Sequence, residues 1–299
     1  MTESNTPFRS GFISIIGRPN VGKSTLLNRI LGTKIAITAN KPQTTRNRIL
    51  GIHNMPGAQL LFIDTPGIHR ATGKLNRFMV DQALSACSGV DLILYVVEVK
   101  DRPGPGDDFI LDVLRQSQLP VVLLINKIDQ LPKERQLELM AAFAERFPFR
   151  EIVPVSAQSG ENVDYLLNLL PRYLKEGPPY YAEDMITDLP ERFIVAEMIR
   201  EQVLKQTHDE IPYRVATLVE QFEEKPEKNL VVIQAVIIVD RETHKGILVG
   251  KQGATIRAIG KAARIDIERL LDARVFLELF VKVQKNWTES ERLLKEFGY

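Results

Sequence analysis

Residues 17–24 read Gly-Arg-Pro-Asn-Val-Gly-Lys-Ser, a stretch of the form G-x-x-x-x-G-K-S. It follows an apolar run at 12–16 and opens a helical stretch at 24–31, so it joins a strand to a helix. In that setting the glycines let backbone N–H groups face a phosphate, and the helix N-terminus adds partial positive charge. The stretch therefore predicts a phosphate-binding loop in which Lys23 reaches the β- and γ-phosphates and Ser24 ligates Mg²⁺. The alternative is a plain glycine turn, which a match over eight residues with these flanks disfavours.

Short apolar runs and helical stretches alternate through residues 1–170. The runs are rich in Val, Ile and Leu without polar alternation, as is typical of parallel strands covered on both faces. They lie at 12–16, 60–63, 92–97, 121–125 and 152–155, and the helical stretches lie at 24–31, 74–85, 107–116 and 133–147. This order predicts a doubly wound α/β domain with a mostly parallel sheet. The segments 49–53 and 60–64 flank a Pro-Gly pair and predict a hairpin that adds one antiparallel strand.

The pattern changes after Gly177, where two consecutive prolines cannot continue a helix. The elements beyond this point are a helix, two strands, two helices, a strand and a helix, at 194–206, 213–222, 229–239, around 250–253, 275–283 and 288–297. We predict an N-terminal tail at 1–8, a first domain at 9–176, a linker at 177–191 and a second domain at 192–299.

The composition excludes several classes of protein. Of the 299 residues 44% are apolar, and 39 Lys and Arg stand against 38 Asp and Glu, so net charge predicts neither nucleic-acid nor membrane binding. The single cysteine, Cys87, cannot form an internal disulfide, which fits a reducing cytosol. There is no signal-like start and no apolar run near the roughly 20 residues that span a bilayer. We therefore expect a cytoplasmic protein.

The motif at 64–67, Asp-Thr-Pro-Gly, follows the predicted strand 60–63. A carboxylate at Asp64 can hold the Mg²⁺ shell, and the Gly67 N–H can contact a γ-phosphate. The next residue is Ile68, at the position where Ras-like proteins carry the glutamine that orients the attacking water. An isoleucine cannot form that hydrogen bond, so this route to hydrolysis is closed.

The motif at 126–129, Asn-Lys-Ile-Asp, predicts which nucleotide base the protein binds. Asp129 would accept from the N1–H and 2-amino groups of guanine, a pair of donors that adenine lacks, and an unpaired buried acceptor is costly. Lys127 would lie along the base, and Ser156-Ala157 would offer a backbone N–H to O6. Each motif stands at the C-terminal end of a strand, where open α/β sheets bind ligands. The predicted nucleotide-binding residues are Gly17, Arg18, Pro19, Asn20, Val21, Gly22, Lys23, Ser24, Asp64, Thr65, Pro66, Gly67, Ile68, Asn126, Lys127, Ile128, Asp129, Ser156 and Ala157.

A second glycine motif, Gly250-Lys251-Gln252-Gly253, lies between two predicted helices. In K-homology (KH) domains a Gly-x-x-Gly loop clamps about four single-stranded nucleotides. Five basic residues and no acidic one occur at 245–264, whereas acidic residues outnumber basic ones 21 to 18 over 182–299. The alternative is an ordinary helix–turn–helix corner with a solvated basic face. The element order αββααβ favours a type II KH domain, and the predicted RNA-binding residues are Lys245, Gly250, Lys251, Gln252, Gly253, Arg257 and Lys261.

Together these motifs make the chain resemble the Era family of GTPases over essentially its full length. The resemblance includes the segment 42–46, Pro-Gln-Thr-Thr-Arg, and implies an α/β P-loop GTPase domain followed by an α+β type II KH domain. It implies switch segments at 41–48 and 68–77, with Thr45 or alternatively Thr44 on Mg²⁺ beside Ser24 and Asp64. Lys23, Gly67 and the switch threonine would act in catalysis, and Asn20 would help hold a K⁺ ion.

The resemblance also implies partners. They are GTP and GDP, the 30S ribosomal subunit and single-stranded 16S rRNA near its 3′ end. It further implies peripheral association with the inner face of the cell membrane, although the sequence offers no amphipathic anchor, and we expect a monomer. Two rival functions stay open at this point: a P-loop ATPase or kinase, and a non-switching RNA-binding module with a structural nucleotide.

Overall fold

A seven-stranded sheet runs through the N-terminal half of the structure, a computed structural model that describes residues 7–68, 73–99 and 103–299. Its strands are β1 Arg9–Gly17, β2 Ile49–Met55, β3 Ala58–Asp64, β4 Leu92–Glu98, β5 Val121–Asn126, β6 Glu151–Pro154 and β7 Lys175–Glu176. The order is β2-β3-β1-β4-β5-β6, with β7 beside β1. The pairs within β3-β1-β4-β5-β6 are all parallel, and β2 pairs antiparallel with β3. The mostly parallel sheet and the hairpin are therefore confirmed.

Within the described residues five helices accompany this sheet: α1 Lys23–Leu31, α2 Lys74–Ser85, α3 Pro105–Ser117, α4 Lys133–Ala144 and α5 Val163–Leu169. Every residue of β3 and of β5 is buried, which explains why these strands read as continuous apolar runs. The single thiol, Cys87, belongs to the same core, and burial raises its pKa to about 11. The core thus follows the sequence pattern closely.

Several elements differ from expectation, and helix α5, Val163–Leu169, was not among the predicted helical stretches. The short strand β7, which pairs antiparallel with β1, lies at the end of the first predicted domain and was not predicted. Helix α4 stops at Ala144 rather than at residue 147. The terminal helix predicted at 288–297 is a 3₁₀ turn, Trp287–Glu289, followed by helix α9, Glu291–Glu296. Ser290 separates the two because its side chain accepts the Leu293 N–H and caps α9.

A three-stranded sheet forms the centre of the C-terminal half. The elements are α6 Glu191–Gln206, β8 Val215–Lys225, β9 Leu230–Val239, α7 Glu242–Val249, α8 Ala254–Leu271 and β10 Arg274–Val283. Strand β9 pairs antiparallel with β8 and parallel with β10. The predicted αββααβ order is confirmed. Trp287, Leu293, Leu294 and Phe297 are buried in one cluster with residues of β8 and β9.

The described chain divides into two compact units whose borders do not follow the linear sequence. The first contains 7–35, 45–68, 79–99 and 103–188. The second contains Leu189–Tyr299 together with Ala36–Thr44 and 73–78. Residues 1–6 of the predicted tail (1–8) and residues 69–72 of the predicted second switch segment (68–77) lie outside the described residues. Among the described helices none has the length and apolar character needed to cross a bilayer.

Candidate nucleotide and RNA sites

The phosphate-binding loop connects the end of β1 to the start of α1 in the first unit. Gly22 adopts φ 100°, and a Cβ at this position would overlap the Asn126 side chain, so only glycine fits. The buried Lys23 Nζ donates to the Gly17 carbonyl at 3.3 Å and to the Arg18 carbonyl at 3.1 Å. Burial lowers the pKa of Lys23 to about 8, and nearby Asp64 acts in the opposite direction. The lysine is thus held inside the curve of the loop.

Three oxygen-bearing side chains converge beside Lys23. Ser24 Oγ donates to Asp64 Oδ2 at 2.6 Å and lies 2.8 Å from Thr45 Oγ1, which is itself 3.5 Å from Asp64 Oδ2. Burial raises the pKa of Asp64 to about 6, while Lys23 and hydrogen bonds, including those from Ser24 and Thr45, act in the opposite direction. Two hydroxyls and a carboxylate are a donor set that suits Mg²⁺, which prefers oxygen ligands.

The two candidate switch threonines differ clearly. The Thr44 hydroxyl donates to the carbonyl oxygen of Lys41 at 2.6 Å, whereas Thr45 lies next to Ser24 and Asp64. The structure therefore brings Thr45, and not Thr44, to the predicted metal ligands.

The base-recognition motifs form one hydrogen-bonded group. Asp129 Oδ1 accepts from Ser156 Oγ at 2.6 Å, which orients the carboxylate. Asn126 donates to the Val21 carbonyl at 2.8 Å and accepts the Ala157 N–H at 2.9 Å. The backbone N–H groups of Ser156 and Ala157, one of which was predicted to reach guanine O6, are therefore bonded to the Glu161 carbonyl, at 3.0 Å, and to Asn126 in this structure. The group links the phosphate loop to both base motifs within one unit.

Lys127 joins the same group from the other side. Its Nζ donates to the Asn20 carbonyl at 2.9 Å and forms an ion pair with Glu98. Asn20 itself has φ 65° and is exposed. These two contacts hold the Lys127 side chain against the phosphate loop. This position is consistent with the prediction that Lys127 lies along the base.

The segment after β3 packs against the loop. The Thr65 hydroxyl donates to the Ile15 carbonyl at 2.8 Å, and the Ile68 N–H donates to the Gly17 carbonyl at 3.0 Å. The Ile68 side chain is buried in the hydrophobic core rather than turned outward. Pro66 and Gly67 lie between these two anchored residues in the chain. Ile68 thus has a packing role, consistent with its inability to orient a water.

Sequence reasoning missed three residues that support the site. Glu98, at the end of β4, pairs with Lys127, and its position at a strand's C-terminal end was the available signal. Arg29 of α1 donates to the carbonyls of Ala157, at 3.2 Å, and of Gln158, and nothing in its surroundings in the sequence marks it. Asp107 of α3 lies 3.6 Å from Arg18 and accepts the Tyr95 hydroxyl at 2.7 Å. The contacts of Arg29 with Ala157 and of Asp107 with Arg18 join parts of the chain that are distant in sequence, so no local pattern predicts them.

The second glycine loop connects α7 to α8 in the second unit. Gly250 has φ 71°, and a Cβ there would overlap Thr255. Gln252 has φ 52°, and its carbonyl accepts from Arg257 at 2.7 Å, which braces the loop against α8. Lys251 and Gln252 are exposed, Gly253 continues directly into α8, and Lys245 is half-buried on α7. The loop therefore presents a basic and a polar side chain to solvent.

An open groove of about 420 Å³ lies between α8 and β10. Its lining combines basic and apolar side chains: Ile256, Arg257, Gly260, Lys261, Arg264, Leu277 and Leu279. Arg257 and Lys261 were predicted, whereas Lys245 is not part of the lining. The apolar residues were missed because nothing in the sequence distinguishes them from the other apolar residues of the same elements. Basic groups can contact phosphates and the apolar walls can pack against bases, so the groove suits single-stranded nucleic acid.

Comparison with known proteins agrees with both sites. Residues 12–127 match a family model described as 50S ribosome-binding GTPase, and residues 210–288 match one described as KH domain. The chain is 60% identical to GTPase Era of Geotalea uraniireducens over 299 residues, covering 100% of both chains.

Two similar solved structures are also Era proteins. One is a variant from Aquifex aeolicus bound to GDP.AlF4−, and the other is Era in complex with MgGDPNP and nucleotides 1506–1542 of 16S ribosomal RNA. Each has a TM-score of 0.94 and 40% identity, and each match covers 98% of this chain and 99% of the other.

Proposed function

The chain belongs to the Era family of GTPases, and from that premise we propose that it is a GTP-driven switch that binds single-stranded 16S rRNA and acts in assembly of the 30S ribosomal subunit. The cluster of Ser24, Thr45 and Asp64 carries the switching half of this proposal. A threonine from a loop reaches a buried carboxylate and the phosphate-loop serine, as a γ-phosphate-dependent switch requires.

Nucleotide binding follows from the first unit. The N–H groups of the phosphate loop and the buried Lys23 would hold the β- and γ-phosphates, and Asp129, oriented by Ser156, would accept from guanine. Ser24, Thr45 and Asp64 would hold Mg²⁺, which neutralises phosphate charge when bound. Thr45 is the ligand that depends on the γ-phosphate, so its loop distinguishes GTP from GDP.

Hydrolysis must proceed without a side chain at position 68 that orients water. We propose that the exposed Asn20 helps to hold a K⁺ ion whose charge stabilises the transition state, and that intrinsic turnover is slow. The test is turnover in KCl and in NaCl at equal ionic strength. Faster turnover in KCl is expected, and identical rates would remove the K⁺ proposal.

RNA binding is assigned to the second unit. Lys251, Arg257, Lys261 and Arg264 would contact phosphates, and Leu277 and Leu279 would pack against bases. The solved Era complex with a 3′-terminal segment of 16S rRNA supports this choice of RNA. The description of the GTPase family model names the 50S subunit instead, so the experiment must separate the two subunits.

The deciding experiment measures binding of an RNA that corresponds to nucleotides 1506–1542 of 16S rRNA. Affinity is compared with GDP and with GDPNP, against a 23S rRNA fragment of equal length, for the natural chain and Lys251→Glu. We expect the 16S fragment to bind at least about tenfold more tightly with GDPNP, because a ligand shifts an equilibrium only by its differential affinity. Equal affinity in both nucleotide states would favour the non-switching module, and preference for the 23S fragment would reject the 30S assignment.

Nucleotide choice and location need separate measurements. Competition between GDP and ADP tests the rival ATPase or kinase, which would prefer ADP. We further propose that the protein is a cytoplasmic monomer. Size-exclusion chromatography tests the monomer, and cell fractionation tests both the cytoplasmic location and the peripheral membrane association that the family resemblance implies.

A further inference from the structure

Nine residues, Ala36–Thr44, belong to the second compact unit although they precede β2 in the chain. We call them the docked segment. Thr38 donates its N–H and its hydroxyl to Glu201 Oε1, at 2.8 and 3.3 Å. Lys41 Nζ donates to the carbonyls of Leu204, at 2.5 Å, and of Thr207 at the end of α6. Arg200 Nη2 donates to the Thr44 carbonyl. The docked segment is therefore bound to one helix near both of its ends and at its centre.

The contacts explain an unusual property of α6. Residues 194–204 are all buried, including Glu197, Arg200, Glu201 and Gln202, and both Arg200 and Glu201 have no exposed surface. Buried charges destabilise a protein unless they are paired and hydrogen-bonded. Glu197 receives two hydrogen bonds from Arg200, each 2.7 Å long, and the docked segment supplies further partners to Arg200 and Glu201. The docked segment thus supplies polar groups that pair with the buried polar side chains of α6.

The position of Arg200 has a direct consequence for the nucleotide site. A peptide unit is planar, so an anchored Thr44 carbonyl fixes the orientation of the peptide that leads into Thr45. Thr45 is the threonine that lies 2.8 Å from Ser24 Oγ. Arg200 thus acts on the residue before the predicted Mg²⁺ ligand without touching the nucleotide site itself.

We propose that Arg200 and Glu201 are positioning residues that hold the docked segment so that Thr45 is presented to Mg²⁺ when the γ-phosphate is bound. This inference rests on the proposed switching function and names the residues that carry the switch into the second unit. Helix α6 also contacts α8, where Gln202 donates to Asp266 at 3.4 Å, and α8 lines the RNA groove. Because coupling between sites is reciprocal, RNA in the groove should then raise the affinity for GTP.

The test compares affinities for fluorescent GDP and GDPNP in the full-length chain. Lys41→Met, Glu201→Ala and Arg200→Lys each remove contacts of the docked segment. Glu201→Gln keeps an acceptor for the Thr38 N–H, and Lys205→Met removes a lysine of α6 that pairs with Glu201 but has no contact with the docked segment among its described interactions. The first three variants should bind GDPNP about tenfold more weakly and GDP within about twofold of the natural chain, since each loses a hydrogen bond between the docked segment and α6.

Controls separate the possible failures. Glu201→Gln and Lys205→Met should leave both affinities within about twofold. Lys41 is only half-buried, so Lys41→Met tests the idea even where a substitution at Arg200 or Glu201 prevents folding. Equal losses for GDP and GDPNP, or unchanged GDPNP affinity in Lys41→Met, would overturn the positioning role.

Hydrogen exchange supplies a readout that does not depend on nucleotide. The Thr38 amide should be protected in the natural chain and in Glu201→Gln, and it should exchange faster in Glu201→Ala. Rapid exchange of this amide in the natural chain would reject the docked segment. If the amide is protected but RNA binds equally in both nucleotide states, the proposed switching function fails instead.

Discussion

At the scale of single residues, short motifs predict the nucleotide site, and contacts between distant parts of the chain hold its residues together. Asp129, Asn126 and Lys23 could be found from sequence because the type and spacing of such residues are set by the ligand. Arg29 could not be found, since it acts through the carbonyls of Ala157 and Gln158, 128 and 129 residues away in the chain. The choice between Thr44 and Thr45 also required the structure, because both are threonines in one polar loop.

The carboxylate of Asp129 gives the sharpest test at this scale. In Asp129→Asn an amide nitrogen replaces one acceptor, so the two guanine donors lose a matched partner. GDP affinity should fall at least about a hundredfold, and xanthosine diphosphate, which carries an oxygen at position 2, should bind better than GDP. Calorimetry checks both, and Asp164→Asn, at an exposed carboxylate near the start of α5, should change neither. Undiminished GDP binding would contradict the assignment of the base site.

At the scale of elements, periodicity predicted the regular strands and helices and failed where an element is short or covered. A strand of two residues, such as β7, has no pattern to detect, and it forms only because β1 offers a partner. The all-round burial of α6 likewise follows from segments that cover it, which no helical period encodes. The groove between α8 and β10 was partly visible, since its basic residues stood out and its apolar ones did not.

A substitution at Gly260 tests whether the groove between α8 and β10 binds RNA. It lies on α8 in the groove lining, and a Cβ there would be 3.3 Å from Leu279 Cδ1. Gly260→Leu should fill the groove and weaken RNA binding at least about tenfold, while helix propensity offsets part of the packing strain by about 0.5–1 kcal/mol. Filter binding and thermal unfolding measure the two effects.

Gly246→Ala is the matched control for that substitution. Gly246 also lies in a helix, α7, but an added Cβ would meet nothing within 4 Å, so this variant should bind RNA normally. RNA affinity that is unchanged in Gly260→Leu would exclude the groove as the binding site.

At the scale of the whole molecule, the net charge gives no indication of RNA binding, and only the local arrangement of basic residues does. The chain has a formal charge of +1, yet Arg257, Lys261 and Arg264 line one groove close to Lys251 in the chain. The sequence could locate this patch because Arg257, Lys261 and Arg264 recur at spacings of four and three residues on one helix with no acidic residue between them. The main border between the two units, at Asp188 and Leu189, lies within the predicted linker, but the sequence does not show that the segments 36–44 and 73–78 belong to the second unit.

The salt dependence of RNA binding follows from that patch. If Lys251, Arg257, Lys261 and Arg264 each neutralise one phosphate, the logarithm of the association constant should fall against that of salt concentration with a slope of about −2.8. Lys261→Gln should reduce the slope by roughly 0.7, whereas Lys285→Gln, at an exposed lysine outside the groove, should not change it. A slope near zero would mean that the groove lysines and arginines do not meet phosphates.

The composition of the second unit bears on any attempt to divide this protein. A fragment that begins at Leu189 would contain every strand of the three-stranded sheet but would lack the docked segment, which contacts Arg200 and Glu201. The side chains of Arg200 and Glu201, which have no exposed surface in the full chain, would then lose these partners and contact water. The first helix of the fragment would therefore be destabilised. An isolated version of this unit would therefore have to include residues 36–44 as well as residues 189–299 to keep these two groups covered.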